Sequence, residues 1–164
     1  KDQYEVLVSD DGSTDQTELI SKNFQATHSN LIYIKNKHTG SPAIVRNCAL
    51  KRARGDIVAF TDDDAIVDPY WLEKGFNYFC KPGITGIEGE IYSDISFPLR
   101  KNFFPVKGKR YTNMETNEKG WYGYYLINMF YRKSILDKIN GLDEKFILPS
   151  CEDIDLAWRV IMVP

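Results

Sequence analysis

No apolar run in this 164-residue chain approaches the ~20 residues that a membrane-spanning helix needs, and no signal-peptide pattern opens it. Nothing in the sequence therefore reads as a spanning helix, although peripheral contact with a membrane stays open. An excess of one charge is also missing. With 21 Lys and Arg against 23 Asp and Glu, the net charge is only −2, so no nucleic-acid-binding surface is expected. Cysteine is scarce: Cys48, Cys80 and Cys151 are odd in number, far apart and outside any CxxC spacing. They read as reduced thiols in a cytoplasmic compartment, at core or near-core positions. The two histidines, His28 and His38, stand apart and read as structural or surface groups rather than metal ligands. Internal repeats, low-complexity tracts and interdomain linkers are lacking too. What remains, 43% apolar and 27% charged residues, is the balance of a globular chain, and we expect one domain over residues 1–164.

Taken in order, strands and helices alternate. Tyr4 to Ser9 is a short apolar run that stops at Asp10-Asp11-Gly12, as a buried strand stops at a turn. Ser13 with Gln16 makes a capping-box pattern ahead of Leu19, Ile20 and Phe24, which predicts a helix over 14–24. Leu31 to Ile34 is the next strand. Ser41 as N-cap, Pro42 at the first position and Gly55 past the end then frame a second helix. Its expected apolar face pairs Ile44 with Cys48 and Val45 with Ala49, and Lys51, Arg52 and Arg54 are expected in its last turn. A strand over 57–61 and a helix from Asp68-Pro69 to about Cys80 complete a third alternation. This pattern argues for an α/β fold with a mainly parallel sheet and helices on both faces.

From Lys81 the character changes. Ile84 to Tyr92 reads as a Gly-interrupted strand, and 93–119, with Pro98, Pro105 and little periodicity, as a long loop region. Trp121 to Tyr131 is dense in apolar and aromatic residues, most of them expected in the core. A short helix should end near Asn140-Gly141. Ser150 with Asp153 forms another capping-box pattern before Ile154, Leu156, Ala157, Trp158, Val160 and Ile161.

Acidic residues cluster where elements end or begin: Asp10-Asp11, Asp62-Asp63-Asp64, and Glu152-Asp153. Two carboxylates ~4 Å apart repel by about 4 kcal/mol at an effective dielectric near 20, so such clusters need solvent or a cation. Oxygen ligands suit Mg²⁺ or Mn²⁺. A solvated acidic turn is the plainer alternative for Asp62–Asp64, and a helix-dipole complement is the plainer one for Glu152 and Asp153. In open α/β sheets, ligands bind outside the carboxyl ends of the strands, where the first two clusters fall.

Several stretches, in order, resemble the inverting nucleotide-sugar glycosyltransferases of family 2, which have the GT-A fold. They are Val8-Ser9-Asp10-Asp11-Gly12-Ser13-Thr14-Asp15, Val45-Arg46-Asn47, Ala53 through Asp64, Asn128-Met129-Phe130-Tyr131-Arg132-Lys133, and Gly141-Leu142-Asp143-Glu144-Lys145-Phe146 ahead of Glu152-Asp153-Ile154-Asp155-Leu156. The resemblance implies a Rossmann-like GT-A domain and a nucleotide-sugar donor, with uridine favoured. It implies Asp11 on the base or ribose with Asp10 beside it, and Arg46 on a phosphate or the base edge. Asp62 and Asp64 would be the DxD pair that holds the diphosphate through Mg²⁺ or Mn²⁺, with Asp63 an alternative direct ligand. Asp153 would be the general base acting on the hydroxyl of a carbohydrate or lipid-linked acceptor, at the inner face of a membrane or in the cytoplasm. Family members open with a strand, loop and helix ahead of the strand carrying Asp10, so the resemblance also implies a fragment lacking those elements.

Two other classes fit parts of the pattern. A phospho-receiver module places an acidic pair after one strand and a phosphoacceptor, here Asp62, after a later one, but that reading leaves Glu152-Asp153 idle. A nucleotidyltransferase would need a Gly-rich phosphate loop, which is not seen.

Overall fold

The computed structural model describes residues 3–89, 91, 112–113 and 124–163. The first apolar run forms strand β1 (Val6–Asp10), which pairs in parallel with β2 (Leu31–Lys35), Val8 opposite Tyr33 and Asp10 opposite Lys35. Helix α1 (Thr17–Thr27) connects them and begins three residues later than the capping pattern predicts. The reason is local. Ser13 spends both its backbone N–H and its hydroxyl on Asp10 Oδ1, at 2.8 and 2.6 Å, and so belongs to the turn after β1. Asp15 instead takes the Thr17 N–H at 2.9 Å. Leu19, Ile20 and Phe24 keep their helical spacing but lie exposed.

Helix α2 (Pro42–Leu50) starts as the sequence predicts, with the Ser41 hydroxyl accepting from the Ile44 N–H. Its buried residues are Ala43, Val45, Asn47 and Leu50, so the expected Ile44–Cys48 face is turned partly outward. Asn47 tolerates burial because its amide is bonded on both sides, as described below. Lys51, Arg52 and Arg54 lie beyond the helix rather than in its last turn, and Arg54 pairs with Glu5.

After α2 come β3 (Ile57–Phe60), α3 (Trp71–Phe79), β4 (Gly86–Glu88), β5 (Thr112–Asn113), β6 (Met129–Arg132), α4 (Lys133–Lys138) and α5 (Glu152–Ile161). Strands β3-β6-β4-β5 form a second sheet in that order, and every described pair in it is antiparallel. The α/β class holds, but among the described strands parallel pairing is confined to β1–β2. Parallel neighbours need a long crossover, usually a helix, and the strand–helix alternation stops after α3. β5 falls inside the 93–119 stretch expected to be a loop; the rest of that stretch lies outside the described residues.

Cross-strand register divides the second sheet into two faces, because directly opposed residues share a face and the pleat has period two. Tyr131 opposes Val58 and Gly86, while Met129 opposes Phe60 and Glu88. This face meets Leu136 of α4 and Leu156, Ala157 and Val160 of α5. The opposite face, with Phe130, Ile87, Ile57 and Ala59, meets Trp71, Leu72 and Phe79 of α3. Helices therefore cover both faces. α3 comes so close to β6 that a Cβ on Gly75 would lie 2.3 Å from the Phe130 ring, a space only glycine leaves open.

Two expectations fail at the surface. Cys80 and Cys151 are exposed and Cys48 is half-buried, all three as free thiols. Both exposed thiols sit at helix ends, Cys80 capping the close of α3 and Cys151 preceding α5, where the chain turns outward. Ser150 makes no cap bond to α5; Cys151 is the N-cap, in the left-handed region at φ 66°.

Candidate functional site

Asp10 ends β1 and is buried, accepting hydrogen bonds from the Ser13 N–H and hydroxyl and from the Tyr33 hydroxyl. Burial opposes its charged form, but the Ser13 and Tyr33 donors outweigh burial and hold the carboxyl below its ordinary value. Asp11 is bound by the facing loop: Oδ1 accepts from the Thr39 N–H at 2.8 Å and hydroxyl at 3.0 Å, and Oδ2 accepts from the Gly40 N–H at 2.8 Å. Burial again works against the charge, and the Gly40 and Thr39 donors win, with His38 alongside. Both carboxylates thus shape the turn between β1 and the loop after β2.

The second centre lies around α2. Arg46 spans two elements: Nη1 donates to Glu152 Oε1 at 2.8 Å, and Nη2 donates to Asp62 Oδ1 at 3.1 Å. Asp62 follows β3 and Glu152 opens α5, so one guanidinium joins the acid cluster to the helix that carries Asp153. Glu152 is 6% exposed. A carboxylate buried that far needs a partner, and the paired arginine supplies one. Asp153 is half-buried, its Oδ1 accepting the Ile154 N–H at 2.8 Å. Burial, together with the Glu152 charge, pushes its pKa above the usual carboxylate value, against the pull of the Ile154 N–H and Arg46. A carboxylate raised in this way is a stronger base. The αL conformation of Cys151, immediately before the pair, costs about 1–2 kcal/mol for a non-glycine residue, a kind of strain that collects at functional sites.

Asp63 and Asp64 are exposed beyond Asp62. Among the described residues no three His, Cys, Asp or Glu side chains converge as a cage for a cation. The structure therefore unites Arg46, Asp62 and the Glu152–Asp153 pair, and anchors Asp10 on Ser13 and Tyr33 and Asp11 on Thr39 and Gly40. It also gives roles to two residues that the sequence placed in motifs without assigning either a role, Asn47 and Glu152. Asn47 Nδ2 donates to Leu142 O at 2.9 Å and to Glu144 Oε1 at 3.0 Å, while its Oδ1 accepts the Leu142 N–H at 2.9 Å. An amide among apolar helix positions was the available signal for Asn47. Glu152 stood in the Glu152-Asp153 cluster, but its burial against Arg46 could not be read, because an acid in a first helical turn is equally explained by the dipole.

The sequence model described as Glycosyl transferase family 2 matches residues 1–140. The chain belongs to that family. The family 2 chain is 30% identical to glycosyltransferase AglE of Haloferax volcanii over 150 residues, covering 90% of this chain and 48% of that protein. It is 36% identical to the uncharacterized glycosyltransferase MJ1057 of Methanocaldococcus jannaschii, covering 98% of this chain and 55% of that protein. The crystal structure of S. aureus TarS 1–349 in complex with UDP-GlcNAc superposes with a TM-score of 0.68 at 23% identity, over 97% of this chain and 44% of that one. That likeness shows the GT-A fold for this family 2 chain. The chain spans about half the length of these three proteins, and family membership displaces the phospho-receiver reading of Asp62.

Proposed function

We propose that this chain carries the donor and base centres of an inverting nucleotide-sugar glycosyltransferase. The observation that carries the reading is the Arg46 bridge, which holds Asp62 at the end of β3 against Glu152, the residue beside Asp153. A nucleoside diphosphate held beside Asp62 and a hydroxyl activated at Asp153 would meet next to this bridge. TarS structures with UDP and with UDP-GlcNAc support a uridine donor, and similarity over 69 residues to the glucosyltransferase WfaP, whose name gives a diphosphoundecaprenol acceptor, supports a lipid-linked one.

On this reading the turn set by Asp10 and Asp11 receives the nucleoside. Arg46 offers guanidinium donors toward the diphosphate edge of the site, where a planar fork suits phosphate oxygens. Asp62 and Asp64 would hold Mg²⁺ or Mn²⁺, with Asp63 as the alternative ligand. Two carboxylates fit such an ion because it is completed by substrate phosphates rather than by an all-protein cage. When bound, the metal supplies charge neutralisation on the departing diphosphate. Asp153, with its raised pKa, accepts the proton of the acceptor hydroxyl as oxygen attacks the anomeric carbon from the opposite face, and the configuration inverts.

Measuring UDP release from a panel of UDP-sugars with Mn²⁺ tests the base assignment. Asp153→Asn should lower kcat by about 10²–10⁴-fold while UDP affinity is kept. A variant turning over at the unsubstituted rate overturns the assignment.

A further inference from the structure

Tyr131 carries a buried hydroxyl that the packing does not explain. The side chain is 0% exposed, its ring meets Phe60 edge-on with centroids 6.1 Å apart, and its Oη has no hydrogen-bond partner among the described residues. A phenylalanine would fill the same space without stranding a polar group, whose burial unpaired costs about 1–3 kcal/mol. The register shows where the hydroxyl lies. Tyr131, Met129 and Glu88 share the sheet face covered by α5, and Tyr131 belongs to the same apolar cluster as Leu156 and Ala157, one turn along from Asp153. Burial pushes the phenol pKa up, and the Glu88 and Asp153 carboxylates and the Tyr124 phenol push it further. Glu88 of β4, Asp153 of α5 and Tyr124, in the segment before β6, are thus near enough to the Tyr131 phenol to act on its charge. A buried water is stable where two to four such partners surround it.

We propose that Tyr131 is a positioning residue: its hydroxyl donates to one ordered water that also bonds the Asp153 carboxylate, fixing the rotamer from which Asp153 faces the acceptor. The functional consequence rests on the reading of Asp153 as base; the contact itself does not. Glu152 on its own helix and Arg46 from α2 act on the Asp153 carboxyl, while Glu88 from β4, Tyr124 and Asp153 itself act on the Tyr131 phenol. Arg46 favours the Asp153 carboxylate and Glu152 opposes it; the water held by Tyr131 would add a further donor.

The test is a ¹³C NMR titration of the Asp153 carboxyl carbon, assigned with Asp153→Asn, in the unsubstituted chain and in Tyr131→Phe. Losing a donor to the charged form should raise the Asp153 midpoint by about half a unit or more. In the sugar-transfer assay, the acid limb of kcat/KM should then move to higher pH by the same amount. A phenol that only packs would leave the midpoint where it was and keep or raise the melting temperature, and that result overturns the proposal. If Tyr131→Phe does not fold, a crystal structure of the unsubstituted chain decides. A water within hydrogen-bond distance of both Tyr131 Oη and the Asp153 carboxylate is expected, and a dry hydroxyl or one bonded elsewhere refutes it. A carboxyl midpoint that moves in a protein whose Asp153→Asn variant keeps full transfer activity would uphold the contact and reject the base.

Discussion

Asn47 shows how a single amide can hold two parts of the site together. It sits on α2, beside Arg46, and pairs with both the N–H and the C=O of Leu142 as well as with Glu144. Gly141, in the left-handed region at φ 68°, lets the chain come this close, since a Cβ there would lie 2.5 Å from Asn47 Oδ1. Asn47→Ala strands the buried Leu142 backbone groups at about 1–3 kcal/mol for each. Urea denaturation should show a lower midpoint with an unchanged slope. A midpoint equal to that of the unsubstituted chain would mean that the loop after α4 re-pairs by itself.

Between elements, the bond from Tyr33 on β2 to Asp10 on β1 ties the parallel pair at the end nearest the site. Burial and the Asp10 hydrogen bond push the Tyr33 pKa up to about 12, while Asp10 is held below its ordinary value. The signs follow from linkage. A depressed Asp10 contributes stability above its unfolded value of ~3.9, which is lost as pH falls through the folded value; a raised Tyr33 contributes below ~10, and this is lost as pH rises toward the folded value. Stability measured against pH should therefore be flat between about 4 and 10 for this pair and fall on both sides. Replacing Tyr33 with Phe should remove the alkaline fall and weaken the acid one. An alkaline limb that persists in Tyr33→Phe would assign it to another group.

Across the whole molecule, α2 is the tie between centres that two separate sheets carry. It receives Ser9 of β1 at Val45 O, Phe146 through the Ser41 hydroxyl, Leu142 through Asn47, and Asp62 and Glu152 through Arg46. Ligand binding at one centre should thus stabilise the fold as a unit. Calorimetry should show UDP affinity rising with Mn²⁺ and that gain vanishing in Asp62→Ala/Asp64→Ala, and at a hundredfold excess over Kd the ligand should stabilise the chain by about 2.7 kcal/mol. Binding that ignores Mn²⁺ would remove the metal from these aspartates.

Sequence alone determined the local features. Runs such as Val6–Asp10, Leu31–Lys35 and Ile57–Phe60, and the Ser41-Pro42 start of α2, specify their elements through short-range propensity and capping, and ordered acid motifs identify the family. Tertiary structure decided what depends on partners distant in the chain. Ser13 joins Asp10 instead of capping α1, and β6 enters between β3 and β4 with antiparallel register. Glu152 finds Arg46 across 106 positions, and the Tyr131 hydroxyl is buried with no hydrogen-bond partner among the described residues. The physical reason is that burial and charge pairing are properties of spatial neighbours. Nothing in the local pattern around an acid or a tyrosine reveals which groups folding will set beside it.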